Sequence, residues 1–120
     1  MLRLDLIGNL GRDVEAQYTP QGKMVAHASV GVSVGYGDNK RTEWVKITLW
    51  EKSAESFNKI AQKGTTVWVS GTPKLSTWLS KKSEPQAQIE LTVREYRVLK
   101  GGKPRDEGEV DEDEPAYMKD

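Results

Sequence analysis

The chain has no cysteine, one histidine and one phenylalanine in 120 residues. The absence of cysteine removes disulfides and thiolate metal sites. A single histidine, His27, leaves little material for metal binding or acid–base chemistry. It lies on the polar positions of an alternating run and reads as a packing or hydrogen-bonding residue. No segment approaches the roughly 20 apolar residues that span a bilayer. The start, Met1-Leu-Arg-Leu-Asp5, lacks the charged, apolar and small-residue sections of a signal peptide. The expectation is a cytoplasmic protein with no membrane partner. Walker loops, paired-cysteine motifs and His-Glu-x-x-His are missing, and Gly8-Asn-Leu-Gly11 is too short for a dinucleotide fingerprint. No nucleophile, base and stabiliser come together. The chain is therefore expected not to be an enzyme, and to carry no cofactor and no metal.

Charge is balanced overall, with 18 basic and 18 acidic residues, but unevenly placed. Residues 106–120 hold 8 acids against one base, a net −7. Residues 1–105 keep 17 bases against 10 acids, a net +7. A basic body with an acidic tail suits a polyanion partner, with the tail either solvating the protein or competing for the body.

What is present is mostly strand. Leu2, Leu4 and Leu6 alternate with polar residues, and turn residues follow at Gly8–Asp13 and Tyr18–Gly22. Met24, Ala26, Ala28, Val30, Val32 and Val34 share one parity, which predicts a long half-buried strand. Gly31 and Gly35 let that strand bend or coil. Tyr36–Arg41 makes a hairpin loop into the run Thr42–Trp50. Residues 53–63 change period, with Ala54, Phe57, Ile60 and Ala61 at helical spacing, Ser53 as N-cap and Gly64 as C-terminal cap. Val67 and Val69 return to alternation, and Pro73 marks a bulge or an edge. Lys81–Pro85 reads as a turn before a last strand carrying Ile89, Leu91 and Val93. Three strands, a helix and two strands predict an all-β chain with one short helix, a five-stranded OB-fold Greek-key barrel. The domain is expected over residues 1–100. Residues 101–120, nearly free of apolar side chains, read as a disordered acidic tail.

The functional signal is in Thr42-Glu-Trp-Val-Lys-Ile-Thr-Leu-Trp50. Side chains alternate between the two faces of a strand. Val45, Ile47 and Leu49 then face a core, while Trp44, Lys46, Thr48 and Trp50 face outward. Indole faces beside cations suit unpaired bases beside their phosphates. Lys74 and Trp78 continue the pattern on a later strand, and Trp68 shares the parity of Trp78 if no bulge intervenes. Arg3 lies on the outward parity of the first strand. Lys40, Arg41, Lys81 and Lys82 stand in or near turns flanking the aromatic strands, as solvated charges or as phosphate-tracking residues. The residues alone leave open a core-filling role for the tryptophans. They also leave open an OB-fold assembly or replication-restart adaptor with little DNA binding, and a single-stranded RNA binder.

Four blocks, Leu6–Asp13, Tyr18–Gly22, Thr42-Glu-Trp44 and Lys63-Gly64, resemble in order and spacing the signatures of bacterial-type single-stranded DNA-binding proteins. The resemblance runs from about Leu2 to Leu99. It implies an OB-fold that assembles as a homotetramer, or as a dimer, and binds and protects single-stranded DNA in replication, recombination and repair. It also implies a nucleoid location. The stacking aromatics of the family fall on Tyr36, Trp44, Trp50 and Trp78, and its basic positions on Lys46 and Lys52. Trp50 replaces a typical phenylalanine, Tyr36 replaces a frequent tryptophan, and Val45 stands where the family often has histidine. The family's tail recruits replication and repair proteins through acids followed by Pro-Phe. Here that role would fall on Asp111, Glu112, Asp113, Glu114, Pro115 and Tyr117.

Overall fold

The computed structural model describes residues 1–101. The tail expected over 101–120, with its residues Asp111–Pro115 and Tyr117, lies outside the described residues apart from Gly101. Six strands form: β1 Leu4–Leu10, β2 Glu15–Tyr18, β3 Met24–Val34, β4 Arg41–Trp50, β5 Thr66–Leu79 and β6 Pro85–Lys100. One helix, α1 Glu51–Ile60, separates β4 from β5. The hydrogen-bonded order is β1-β5-β6-β4-β3, and Asn9↔Gly31 and Leu10↔Val30 return β3 to β1. The sheet is thereby closed as a five-stranded barrel. Every pairing is antiparallel except β4 with β6. This is the OB-fold topology expected from the strand and helix order.

The alternation within the strands fills the barrel. Leu6, Leu10, Ala26, Ala28, Val30, Val45, Ile47, Leu49, Val67, Val69, Leu91 and Val93 are buried in one cluster with Ala54 and Phe57 of α1. Phe57 has no solvent exposure and meets the Tyr96 ring edge-to-face, centroids 5.0 Å apart at 82°. A helix of ten residues gains its stability from such packing rather than from its own hydrogen bonds.

Four details differ from the sequence expectation. First, β2 is an added strand on the outer edge of β3, because Glu15–Tyr18 pairs with Met24–His27 where the sequence signalled chiefly a turn. The turn itself is shifted by one residue, to Thr19–Lys23: Thr19 N–H donates to the Lys23 carbonyl at 2.8 Å, and Gly22 N–H to the Thr19 carbonyl at 2.8 Å. Second, the helix begins two residues early. Glu51 takes a left-handed φ of 53° directly after the strand, so Trp50, not Ser53, is the N-cap residue and no side chain caps the end. Third, Gly64 does not cap the helix, whose C-cap is Ala61. It turns the chain at φ 87° and donates its N–H to the Leu10 carbonyl at 2.9 Å, tying the helix exit to β1. Fourth, β6 slips its register. Ser70 pairs with Glu95 and Gly71 with Val93, leaving Arg94 as an extra residue. The bulge flips the inward parity of β6. That is how Leu91 and Val93 face the core and Tyr96 still reaches Phe57.

The β5–β6 pairing runs on to Leu79↔Pro85, whereas β1 pairs β5 only up to Gly71 and β4 pairs β6 only from Ile89. Residues 76–79 and 85–88, which pair only with each other, therefore stand out from the barrel as a two-stranded arm. Pro73 lies on the edge that β1 leaves open, where its missing N–H costs no ladder bond. The arm closes in a turn in which Ser80 N–H donates to the Glu84 carbonyl at 2.9 Å, while Ser80 Oγ accepts from Glu84 N–H at 3.1 Å.

Candidate nucleic-acid interface

The cross-strand register shows which outward side chains become neighbours. On β3 and β4 the pairs are Gly31↔Trp44, Ser29↔Lys46, His27↔Thr48 and Val25↔Trp50. Across β4 and β6, Lys46 pairs with Glu90 and Thr48 with Thr92. Across β6 and β5, Glu90 pairs with Lys74, Gln88 with Ser76 and Gln86 with Trp78. One face therefore carries, in rows, Ser29–Lys46–Glu90–Lys74 and His27–Thr48–Thr92–Thr72. Trp44 and Trp78 lie at one end of it and Trp50 at the other. Six residues of strand separate Trp44 from Trp50, roughly 20 Å. Trp78 lies two strands over and one step along, roughly 12 Å from Trp44.

Trp44 owes its position to Gly31. A Cβ built on Gly31 would lie 3.1 Å from Cη2 and 3.2 Å from Cζ3 of the Trp44 indole. The ring thus packs over a position without a side chain and is half-buried. Sequence reasoning assigned Gly31 to strand bending; its close approach to Trp44 adds a second reason for glycine. Gly31→Val is expected to lift the indole from the sheet and weaken binding by up to the about 1–3 kcal/mol of one stacking platform. Unchanged oligonucleotide affinity in a titration of that variant would remove this reading of Gly31.

The other aromatics differ in setting. Trp50 is 45% and Trp78 38% exposed, and Tyr36 is almost fully exposed at the start of the β3–β4 loop. That loop needs Gly35: its φ is 90°, and a Cβ there would lie 2.4 Å from the Asn39 carbonyl oxygen. Trp68 is half-buried and does share the outward parity of Trp78, since the slip falls on β6 and not on β5. Ten residues of strand, about 30 Å, separate the two. Trp68 lies instead beside Ile7 and Arg97, away from the Trp44 group.

The cations are arranged around this face. Lys46 Nζ is 3.9 Å from Glu90 Oε1, and Lys74 is the next neighbour of Glu90 on β5. Lys52 is exposed on the first turn of α1, two residues beyond Trp50. Lys40 and Arg41 are exposed at the loop, and Arg41 Nε donates to Glu43 at 2.6 Å. Lys81 and Lys82 are exposed at the tip of the arm. Arg3 precedes β1, and its guanidinium donates twice to Asp5 at 3.1 Å. A hydrogen bond from Ser70, then the Arg3 guanidinium, hold the Asp5 carboxyl below the usual range. His27 is half-buried, with Nδ1 3.2 Å from Thr48 Oγ1. Burial first, then the charge of Lys46, push its pKa down, so the neutral ring is favoured at neutral pH. Among the described residues no three His, Asp or Glu side chains gather to hold a metal ion, and no helix is long and apolar enough to cross a membrane.

A family model described as the single-strand binding protein family matches residues 1–99. The chain belongs to this family. Two curated relatives are each named single-stranded DNA-binding protein, one from Neisseria meningitidis serogroup A and one from serogroup B. Each is 32% identical over 114 residues, covering 86% of this chain and 66% of the relative. The chain thus matches just under two thirds of the length of these relatives. The family match ends inside β6, so it takes in the barrel, the arm and the whole outer face.

The aromatics expected from the resemblance, Tyr36, Trp44, Trp50 and Trp78, are spread over the loop, β4 and the arm. Two outward residues that the sequence reading did not select also lie among them, Gln88 and Glu90. The alternation Gln86-Ala-Gln-Ile-Glu90 held the signal: with Ile89 and Leu91 inward, the three polar residues must face out.

Proposed function

We propose that this protein binds single-stranded DNA without requiring a defined sequence. The observation that carries the reading is the continuous outer face in which Trp44 and Trp78 stand beside Lys46 and Lys74. Bases of a single strand stack on the indoles, and the lysines follow the phosphates. Each stacked base contributes roughly 1–3 kcal/mol. Phosphate neutralisation adds a term that falls as salt rises. A duplex keeps its base faces covered and gains only the second term.

The site residues of this reading are Tyr36, Trp44, Lys46, Trp50, Lys52, Lys74 and Trp78, with Arg3, Lys40 and Arg41 at the margins. The role is one of binding and protection in replication, recombination and repair, in the cytoplasm and with the nucleoid. Self-association into a homotetramer or dimer would link several such faces and raise affinity through effective concentration. Exposed apolar side chains on the inward parity of the arm and of its base, Leu79 with Leu75 and Ile89, support an assembly of this kind. The acidic segment with Asp111–Pro115 and Tyr117 is proposed to recruit replication and repair proteins.

Titration with oligo-thymidine, followed by tryptophan emission and by mass, tests the reading. Emission should fall on stacking, duplex of equal length should compete poorly, and mass should report the number of copies. An adaptor that does not bind DNA would leave emission flat. Stronger competition by matched RNA would redirect the proposal to an RNA substrate.

A further inference from the structure

Glu90 is the one acidic side chain in the Ser29–Lys46–Glu90–Lys74 row, and it stands between the aromatic platforms rather than at their rim. Its side chain is 32% exposed, with Lys46 on one side and Lys74 on the other. A carboxylate here repels phosphate. The parts of a single strand that attract it are the N–H groups on base edges, which unpaired strands present freely. Beside it on β6, one outward step away, Gln88 has its amide Nε2 buried with no hydrogen-bond partner. A buried donor left unpaired is costly, so a ligand acceptor that reaches it is favoured. The centre of the face thus offers an acceptor and a donor on neighbouring outward positions of one strand.

We infer that Glu90, with Gln88, reads base edges and biases this face toward amino-bearing bases over thymine. The inference rests on the single-strand reading above and goes beyond it: tolerance of sequence is not uniformity. Cytosine presents an exocyclic amine next to a ring-nitrogen acceptor. The amine donates to the carboxylate, the pairing that Glu makes with cytosine N4 elsewhere, and the ring nitrogen accepts from the amide. Thymine has carbonyl oxygens on both sides of its single N–H, and these face a negative charge. The lysines on either side of Glu90 hold phosphates close, so that a base rather than its backbone meets the carboxylate.

A purely electrostatic role for Glu90 makes a different prediction. If the carboxylate only neutralises Lys46 and Lys74, removing it tightens binding to every strand alike and steepens the salt dependence. A base-reading role changes the ratio between strands. The experiment compares Glu90→Gln with the unsubstituted chain, using oligo-cytidine and oligo-thymidine of equal length at one fixed salt concentration. The expected result is a rise in the thymidine-to-cytidine affinity ratio of roughly fivefold or more, the low end of what a direct base contact discriminates. Glu90→Ala, which removes the acceptor without adding a donor, should shift the ratio the same way. Parallel changes for both oligonucleotides, or any smaller shift of the ratio, overturn the inference and leave the single-strand reading standing. If neither oligonucleotide alters the tryptophan emission of the unsubstituted protein, the single-strand reading falls and this inference with it.

Discussion

Replacing Trp44 and Trp78 together with alanine is expected to weaken binding to oligo-thymidine by about 2–6 kcal/mol, two platforms at roughly 1–3 kcal/mol each. The two rings sit on different strands, β4 and the arm of β5, with β6 between them. Their losses should add to within a few tenths of a kcal/mol unless one base touches both. Neither ring belongs to the core cluster, so the thermal unfolding of the double variant should stay close to that of the parent. Trp44 shields part of the Gly31 backbone, and a small loss of stability from that site is compatible with the prediction. Single variants, with phenylalanine as the conservative control at Trp44, separate stacking from bulk. If the double variant unfolds outright in a circular-dichroism melt, the indoles serve the interior and the proposed function loses its main support.

The second large effect concerns the helix. Phe57→Ala is expected to cost about 3–5 kcal/mol of stability, as for large buried aromatics elsewhere. Phe57 is fully buried, and its loss leaves a void beneath Tyr96. It also cuts the anchor that holds α1 against the barrel, since the helix has only Ala54 and Phe57 in the core. The Tyr96 hydroxyl lies 2.5 Å from Ser56 Oγ, which ties the same helix to β6 by its polar side but cannot replace the ring contact. Chemical denaturation should show the loss as a lower midpoint with little change in slope. An unfolding free energy within about 1 kcal/mol of the parent, on the order of a surface substitution, would falsify the assignment of Phe57 as the anchor of α1.

The two predictions separate the protein into layers with different physical roles. The inward parity of the strands makes the barrel, and the outward parity of four adjacent strands, β3, β4, β6 and β5, makes the face. Substituting tryptophan on the outward parity is therefore expected to alter binding, and substituting phenylalanine on the inward side of the helix to alter folding. His27 lies between these extremes. It is on the outward face but half-buried, hydrogen-bonded to Thr48, and held neutral by burial and by Lys46.

Much of this was legible in the sequence because period-two alternation reports the face of a strand directly. Val45, Ile47 and Leu49 are buried as the pattern in Thr42–Trp50 requires, and Trp44, Lys46 and Trp50 share the opposite face. The same rule worked through β5, where Val67 and Val69 point inward and Trp68 and Trp78 outward. In β6 it held for Leu91 and Val93, but a bulge at Arg94 changes parity beyond them and nothing in the local residue types announces it. Helix bounds were offset because Glu51 enters a left-handed conformation that sequence preferences disfavour. The added strand β2 was missed because all four of its side chains are exposed, so no apolar alternation marks it.

By itself the sequence determined the class of fold, the inward residues of most strands and the identity of the aromatic and basic side chains available for binding. These follow from local periodicity and residue type, which need no partner to be read. The tertiary structure alone decided who stands beside whom. Closure of the barrel sets β6 between β4 and β5, and so places Glu90 between Lys46 and Lys74, residues 16 and more positions away along the chain. It put Gly31 under Trp44 and set Trp68 between Ile7 and Arg97. Such neighbours are fixed by hydrogen-bond register between distant strands, and register is a property of the closed sheet that no single segment encodes.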